Sequence, residues 1–269
     1  MSRSDPPSRD ERRLPNRDIS HVLKGWDYEP GTINVRKISG VDGSPKLQMR
    51  VDLGLLQMEM TGRPDGARPH GCESLLDYYE TELNEHRIRH GTDLGFHLTA
   101  DQCHVLREEA EMYYRRYLGL FVLEDFVAVM RDTARNLRML DFCGKFANDE
   151  HDRLILEQYR PYIIMMNCRA EASIHYNNKD YKPALTVVDK GIESIRDFFS
   201  RFGQDEAFAK SNEVRVLKKF AREIRRKIPM DPLTRLQHQL DKAIKTERYE
   251  EAAKLHDQIK RMQTPASPA

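Results

Sequence analysis

No two cysteines in this chain stand close enough to make a CxxC pair. The four, Cys72, Cys103, Cys143 and Cys168, are widely separated, so neither a zinc ribbon nor a redox dithiol is suggested. They read as reduced thiols of a cytoplasmic protein. A charge bias is also missing: 44 Lys and Arg stand against 43 Asp and Glu, a formal charge of +1. Without a basic excess there is no global attraction to nucleic acid, which leaves only a local basic face to consider. No apolar run reaches the roughly eighteen residues that a bilayer needs. The nearest, Leu118 to Met130, is broken by Glu124 and Asp125, so no membrane association is expected. The polar N-terminus, Met1 to Asp18, lacks the apolar stretch of a signal peptide.

Catalytic signatures are equally scarce. There is no GxxxxGK[ST] phosphate loop. His86 and His90 lie four apart with Glu82 one turn earlier, a spacing that can bind a metal. Arg87 and Arg89 interleave with them, and the stretch reads as a solvated charged face. Di-iron bundles use paired Glu-x-x-His motifs, but here Asp18/His21 and Asp101/His104 carry Asp instead. Cys103-His104 beside Glu108 and Glu109 reads as a helix start with surface acids. No Ser-His-Asp arrangement is evident. The expectation is no catalytic residue, no metal and no cofactor.

What is present is 39% hydrophobic and 32% charged residues, the mix of a helix-rich chain with charges of both signs. Residues 1–19 and 263–269 read as disordered tails. Residues 20–71 form a small β section. Ile33 and Val35 alternate with Asn34 and Arg36, and Leu47, Met49, Val51 and Leu53 alternate with Gln48, Arg50 and Asp52. Gly40 to Ser44 supplies a hairpin turn. At Gly54 the apolar parity reverses to Leu56, Met58 and Met60, as a bulge would produce.

Residues 72–228 read as a helical domain. Its expected helices are Ser74 to His90, stopped by Gly91; one opened by the capping-box spacing Thr99 to Gln102; and Phe121 to Ala147, the central core helix. Glu150 to Asn177 follows, kinked or broken at Pro161, then Lys182 to Phe202 and Asp205 to Lys227. Pro229 and Pro232 bracket a linker, and Asp231 is placed to cap a last helix. The final segment, Arg215 to Lys227, sets Arg215, Lys218, Lys219, Arg222 and Arg226 along one helical stripe. It is a nucleic-acid candidate or a solvated face opposite Val214, Leu217, Ala221 and Ile224.

Two stretches share one pattern: Asp180-Tyr-Lys-Pro-Ala-Leu185 and Arg248-Tyr-Glu-Glu-Ala-Ala253. In each a Tyr opens a helix and an Ala follows three residues later, so the ring packs back on the preceding helix and the Ala lets the backbones approach. The first, over 168–201, resembles a single tetratricopeptide unit, with Ala172, Tyr181, Ala184 and Val188 at matching positions and Gly191 where that family has Ala. An ordinary helical hairpin within a bundle is the alternative.

The second, over 231–262, is denser. Leu233, Leu236, Leu240 and Ala243 make one apolar stripe, Thr246-Glu247-Arg248 a tight turn, and Tyr249, Ala252, Ala253, His256 and Ile259 a facing stripe. Asp241/Lys245, Glu250/Lys254 and Asp257/Arg261 are acid-to-base pairs four apart. The run from Leu236 through Tyr249-Glu250 and Ala252-Ala253 to Leu255-His256-Asp257 and Ile259 is similar to the UVR motif of UvrB, UvrC, ClpC-type chaperones and McsA. That resemblance implies a bacterial protein whose hairpin pairs with another UVR hairpin or docks on a protein partner. Leu236, Leu240, Ala243, Tyr249, Ala252, Ala253, His256, Asp257 and Ile259 would then be the contact residues. The family usually has Arg where His256 stands, a longer and permanently charged side chain, so partner choice is expected to differ. The nucleotide-binding, zinc and nuclease signatures of those relatives are absent.

The expected architecture is therefore mainly α: a helical bundle with a tetratricopeptide-like hairpin, a small N-terminal β section and a C-terminal UVR hairpin. The expected role is a non-catalytic adaptor or scaffold that engages a partner or itself. The alternatives are an accessory factor in excision repair, or an enzyme whose site lies between the β section and the helices.

Overall fold

The computed structural model describes residues 18–229 and 232–263. Most of both expected tails, and the expected cap Asp231, lie outside these residues. In order, the elements are α1 (Ser20–Leu23), β1 (Val35–Ser39), β2 (Pro45–Val51), β3 (Gly54–Glu59), α2 (Leu75–His90), α3 (Ala100–Val122), α4 (Phe126–Phe146), α5 (Glu150–Leu154), α6 (Arg160–Asn177), α7 (Tyr181–Arg201), α8 (Asp205–Lys210), α9 (Asn212–Lys227), α10 (Pro232–Lys245) and α11 (Tyr249–Gln263). The fold is mainly helical with a small antiparallel sheet near its N-terminus. None of the described helices is long and apolar enough to cross a membrane.

The sheet has the order β1-β2-β3. The parity reversal at Gly54 comes from a second tight turn and not from a bulge: Val51 pairs with Gly54, and Leu53 sits exposed at the tip. Antiparallel partners in this register sum to an odd number, so Leu47 and Met49 face Met58 and Leu56. That face lies on α3 at Gly119. A Cβ there would sit 2.9 Å from Leu47 Cδ2, so only glycine lets the sheet approach so closely. The segment before β1 covers the other side. Arg36 lies 4.0 Å over the Trp26 ring, and the indole Nε1 donates to Asn34 Oδ1 at 2.6 Å.

α2 begins at the Ser74 cap and ends at Gly91 in the left-handed region, and Thr99 with Gln102 forms the expected capping box of α3. The expected helix 121–147 starts later. α3 continues through Val122, the chain turns at Glu124 (φ 57°), and α4 opens at Phe126. Pro161 marks a break, since α5 stops at Leu154 and the proline sits in the first turn of α6, where a missing N–H costs nothing. Ser211 divides 205–227 into α8 and α9, and its hydroxyl caps α9 by accepting from Val214 N.

α4 packs between α3 and α6; α7 lies on α6, and α9 closes over both. Leu120, Val129, Met166, Val188, Ile195, Leu217 and Ile224 fill this core, and a second cluster around Leu76, Leu98, Leu106 and Met139 seats α2 on α3 and α4. Gly191 has a steric reason: a Cβ there would collide with Cys168 Sγ.

Charges enter this core. Arg116 and Asp132 are both 0% exposed, and the guanidinium donates twice to the carboxylate, at 2.7 and 2.8 Å. Arg116 also donates to Glu59 O at 3.0 Å, and Arg131 donates to Met60 O at 2.9 Å and to Asp132 at 2.9 Å. Glu109, expected as a surface acid, is wholly buried. It accepts from the backbone N–H groups of Leu75 and Leu76 at 2.8 and 3.3 Å, and from Arg135.

Removing one member of such a pair leaves a buried charge unpaired, at a cost of about 3–5 kcal/mol. Asp132→Ala is therefore expected to lower the unfolding free energy by about that amount in chemical denaturation. The charge-free pair Arg116→Met with Asp132→Leu recovers most of the loss. Gly191→Ala is expected to cost about 1–3 kcal/mol by overpacking against Cys168.

Candidate functional site: the C-terminal hairpin

The turn between α10 and α11 satisfies the last carbonyls of α10 twice over. Glu247 N donates to Ile244 O at 3.0 Å and Arg248 N to Ala243 O at 2.9 Å, with Glu247 in the left-handed region at φ 57°. This is a Schellman closure with a charged residue where glycine is usual. The same pair of bonds closes two other hairpins. Between α3 and α4, Glu124 N donates to Phe121 O and Asp125 N to Leu120 O. Between α6 and α7, Lys179 N donates to Tyr176 O and Asp180 N to His175 O, with Lys179 at φ 65°.

In all three, the helix after the turn opens on an aromatic, Phe126, Tyr181 or Tyr249, and the residue five places before it is Phe121, Tyr176 or Ile244. In the first two hairpins these side chains meet edge to face, with ring centroids 5.5 Å apart, and both pairs are packed against the main core. In the third they are open: Tyr249 is 68% exposed and Ile244 51%.

The interior of the third hairpin is lined by Ala243, Ala252 and Ile259, all buried, with Leu236, Leu240 and Leu255 half-buried. Two alanines at the contact let the backbones approach. The expected facing stripe of α11 is thus divided. Ala252 and Ile259 face α10, whereas Tyr249, Ala253, His256 and Asp257 face outward. The reason is angular: 252, 255 and 259 fall on one side of a helix, and 249, 253 and 256 about a quarter turn away. The expected ion pairs Asp241/Lys245 and Glu250/Lys254 are not formed; among the described residues the hairpin's ion pair is Arg248–Glu251 at 3.0 Å. The third expected pair includes the Arg261 side chain, which lies outside the described residues.

The other candidates sit elsewhere. Arg215, Lys218, Lys219, Arg222 and Arg226 are all exposed along α9, opposite the buried Val214, Leu217, Ala221 and Ile224. Arg225 reaches Asp189 at 3.2 Å, but none of those five ion-pairs with a described residue. His86 Nε2 is 3.0 Å from Leu94 O, and the His86 and His90 rings lie 4.4 Å apart, tilted by 40°. The thiols of Cys143 and Cys168 are buried, and burial pushes each up to about 12, far from a reactive thiolate.

Because Glu247 pays the left-handed penalty of a residue with a Cβ, Glu247→Gly is expected to stabilise the hairpin by about 1 kcal/mol. Slower amide exchange in α10 and α11 would register it. Ala243→Asp should melt both helices, while Tyr249→Ala leaves their exchange unchanged in the chain with no partner bound.

No curated protein and no solved structure matches this chain. Residues 231–264 match the family model of the UvrB/uvrC motif, and α10 and α11 are the two helices of that motif.

Proposed function

We propose that this protein is a non-catalytic adaptor or scaffold in stress response or protein quality control, and that its UvrB/uvrC hairpin engages a protein partner or a second copy of the chain. The supporting observation is the open Ile244–Tyr249 pair. The equivalent pairs of the two other hairpins are half-buried against the main core, and the third has the same closure with its two side chains exposed. Two helices of 14 and 15 residues are marginal in isolation, so a second surface on this side adds stability as well as specificity. Tyr249, Ala253 and His256 would line the contact, with Ile244 beside them and the half-buried Leu236 and Leu240 at its edge. His256, where the family has Arg, offers a shorter side chain without the guanidinium fork, which favours a partner without a matching carboxylate.

A second reading is an accessory factor in nucleotide excision repair. It is supported by the five exposed cations of α9, which no described carboxylate neutralises. The proposed enzyme site between the β section and the helices finds no such support, since Arg116, Arg131 and Asp132 occupy that junction.

The two readings separate experimentally. The full chain, a version ending at Lys227 and full-length Tyr249→Ala are compared by native-lysate pull-down and by mass in solution. The adaptor reading expects partner or dimer to be lost in both altered forms; identical partners and identical mass in all three would sink it. The repair reading expects DNA binding whose logarithm falls with log salt by about 0.9 for each phosphate contacted. Reversing charges at Lys218 and Arg222 should flatten that slope, and absence of binding at low salt ends the idea.

A further inference from the structure

A cleft of about 400 Å³ opens beside α2, between the short turn at residues 69–71 and the strand-like loop before α3. Its walls are His70, Tyr78, Tyr79, Phe96 and His97, with Glu82 among them, and Gln102 closes one end. His70 is held in the left-handed region at φ 51°, a costly conformation for a residue with a Cβ, and its ring stacks on Tyr78 at 4.0 Å and 19°. Tyr78 and Tyr79 are inclined at 60° with centroids 5.1 Å apart, so the two rings present differently directed surfaces.

Two polar groups of this cleft are unengaged. Among the described residues, neither the half-buried Glu82 carboxylate nor the Tyr79 hydroxyl has a hydrogen-bond or ion-pair partner. Gln102 spends its carbonyl on Thr99 N at 2.8 Å and leaves its NH₂ group over. The other acids on α2 have cations: Asp77 and Glu80 share Arg138, and Glu85 lies 4.0 Å from Arg89. A half-buried carboxylate with no cation of its own is free to pair with one that a ligand brings.

The geometry points to a binding site for a small organic cation, an alkylated ammonium group seated against Glu82 and the tyrosine and phenylalanine rings. Aromatic faces and one carboxylate are the chemistry that recognises such a group, by cation–π attraction and a single ion pair. The same carboxylate repels anions. A divalent metal is not favoured, because the described residues hold no group of three His, Cys, Asp or Glu side chains that could ligate one. Burial raises the Tyr79 phenol above its usual range, so it stays a neutral hydroxyl at neutral pH, able to donate to a polar substituent of the ligand.

The test uses choline as the cation and 3,3-dimethyl-1-butanol as its neutral isostere, each titrated into the full-length protein and followed by amide chemical shifts. Choline is expected to shift residues around Tyr78, Glu82, His97 and Gln102 saturably, and the isostere to bind at least tenfold more weakly. Glu82→Gln should weaken choline at least tenfold. Because Glu82 makes no hydrogen bond or ion pair with a described residue, that variant should keep the wild-type melting temperature, which shows the loss is not misfolding. Equal binding of cation and isostere, no saturable shift with choline, or unchanged choline binding in Glu82→Gln would each overturn the proposal. The hairpin has no part in this experiment, so its result is independent of the adaptor reading.

Discussion

The wholly buried Arg116–Asp132 pair is the constraint on which the rest of this architecture turns. A guanidinium and a carboxylate taken out of water each cost several kcal/mol, recovered only when geometry is close to ideal and the remaining donors find acceptors. Here the fork is bidentate, and the spare Nη1 reaches Glu59 O at the end of the sheet. Arg131 adds Met60 O, so the departing backbone of β3 is gripped by two arginines from two helices. A three-stranded sheet is marginal alone. These bonds, with the close approach at Gly119, make it part of the helical core.

Glu109 performs a second long-range duty. The first N–H groups of a helix have no partner within it, and α2 resolves this with a carboxylate from α3, which also complements its positive end. The sequence held a signal for this that residue type obscured. Glu109 and Arg116 are seven apart on the same stripe as Leu106, Tyr113 and Leu120, and Asp132, Arg135 and Asn136 likewise occupy the inner stripe of α4 with Met139. Charges at core spacing on two adjacent helices predict a buried ionic network. Read one residue at a time, as acids near His104, they look like solvated surface.

Local chemistry made the ends of α2, the capping box of α3 and the first hairpin turn legible, because each uses a residue with a strong preference. The break at Glu124 and the turn at Val51 to Gly54 were not legible for the opposite reason. Glu124 occupies a left-handed position without being glycine, and two-residue hairpins and bulges both reverse apolar parity. The hairpin pattern was recognised at Tyr181 and Tyr249 through their repeated Tyr and Ala. At Phe126 the third residue onward is Val129, so the same turn passed as helix interior. In the candidate site the helices and the closure were readable, but not which stripe of α11 faces α10. That depends on a rotation of about a quarter turn, which one apolar pattern leaves open when Ala252 and Ala253 are adjacent.

Three closures of one design differ chiefly in what lies over them. At Phe121–Phe126 and Tyr176–Tyr181 the edge-to-face pair is part of a continuous core, so each turn is held by tertiary packing as well as by its own two hydrogen bonds. At Ile244–Tyr249 the turn has only the bonds and the thin contact of Ala243, Ala252 and Ile259. Such an element is the first to open when conditions weaken hydrophobic burial. Any surface that covers Tyr249 and Ile244 would bind the folded hairpin and not the unfolded segment. Its binding free energy would then appear directly as hairpin stability. Partner affinity and the integrity of the motif are thereby the same equilibrium viewed from two ends. A residue such as Glu247, whose left-handed backbone costs stability whether or not a partner is present, would set its midpoint without touching the partner.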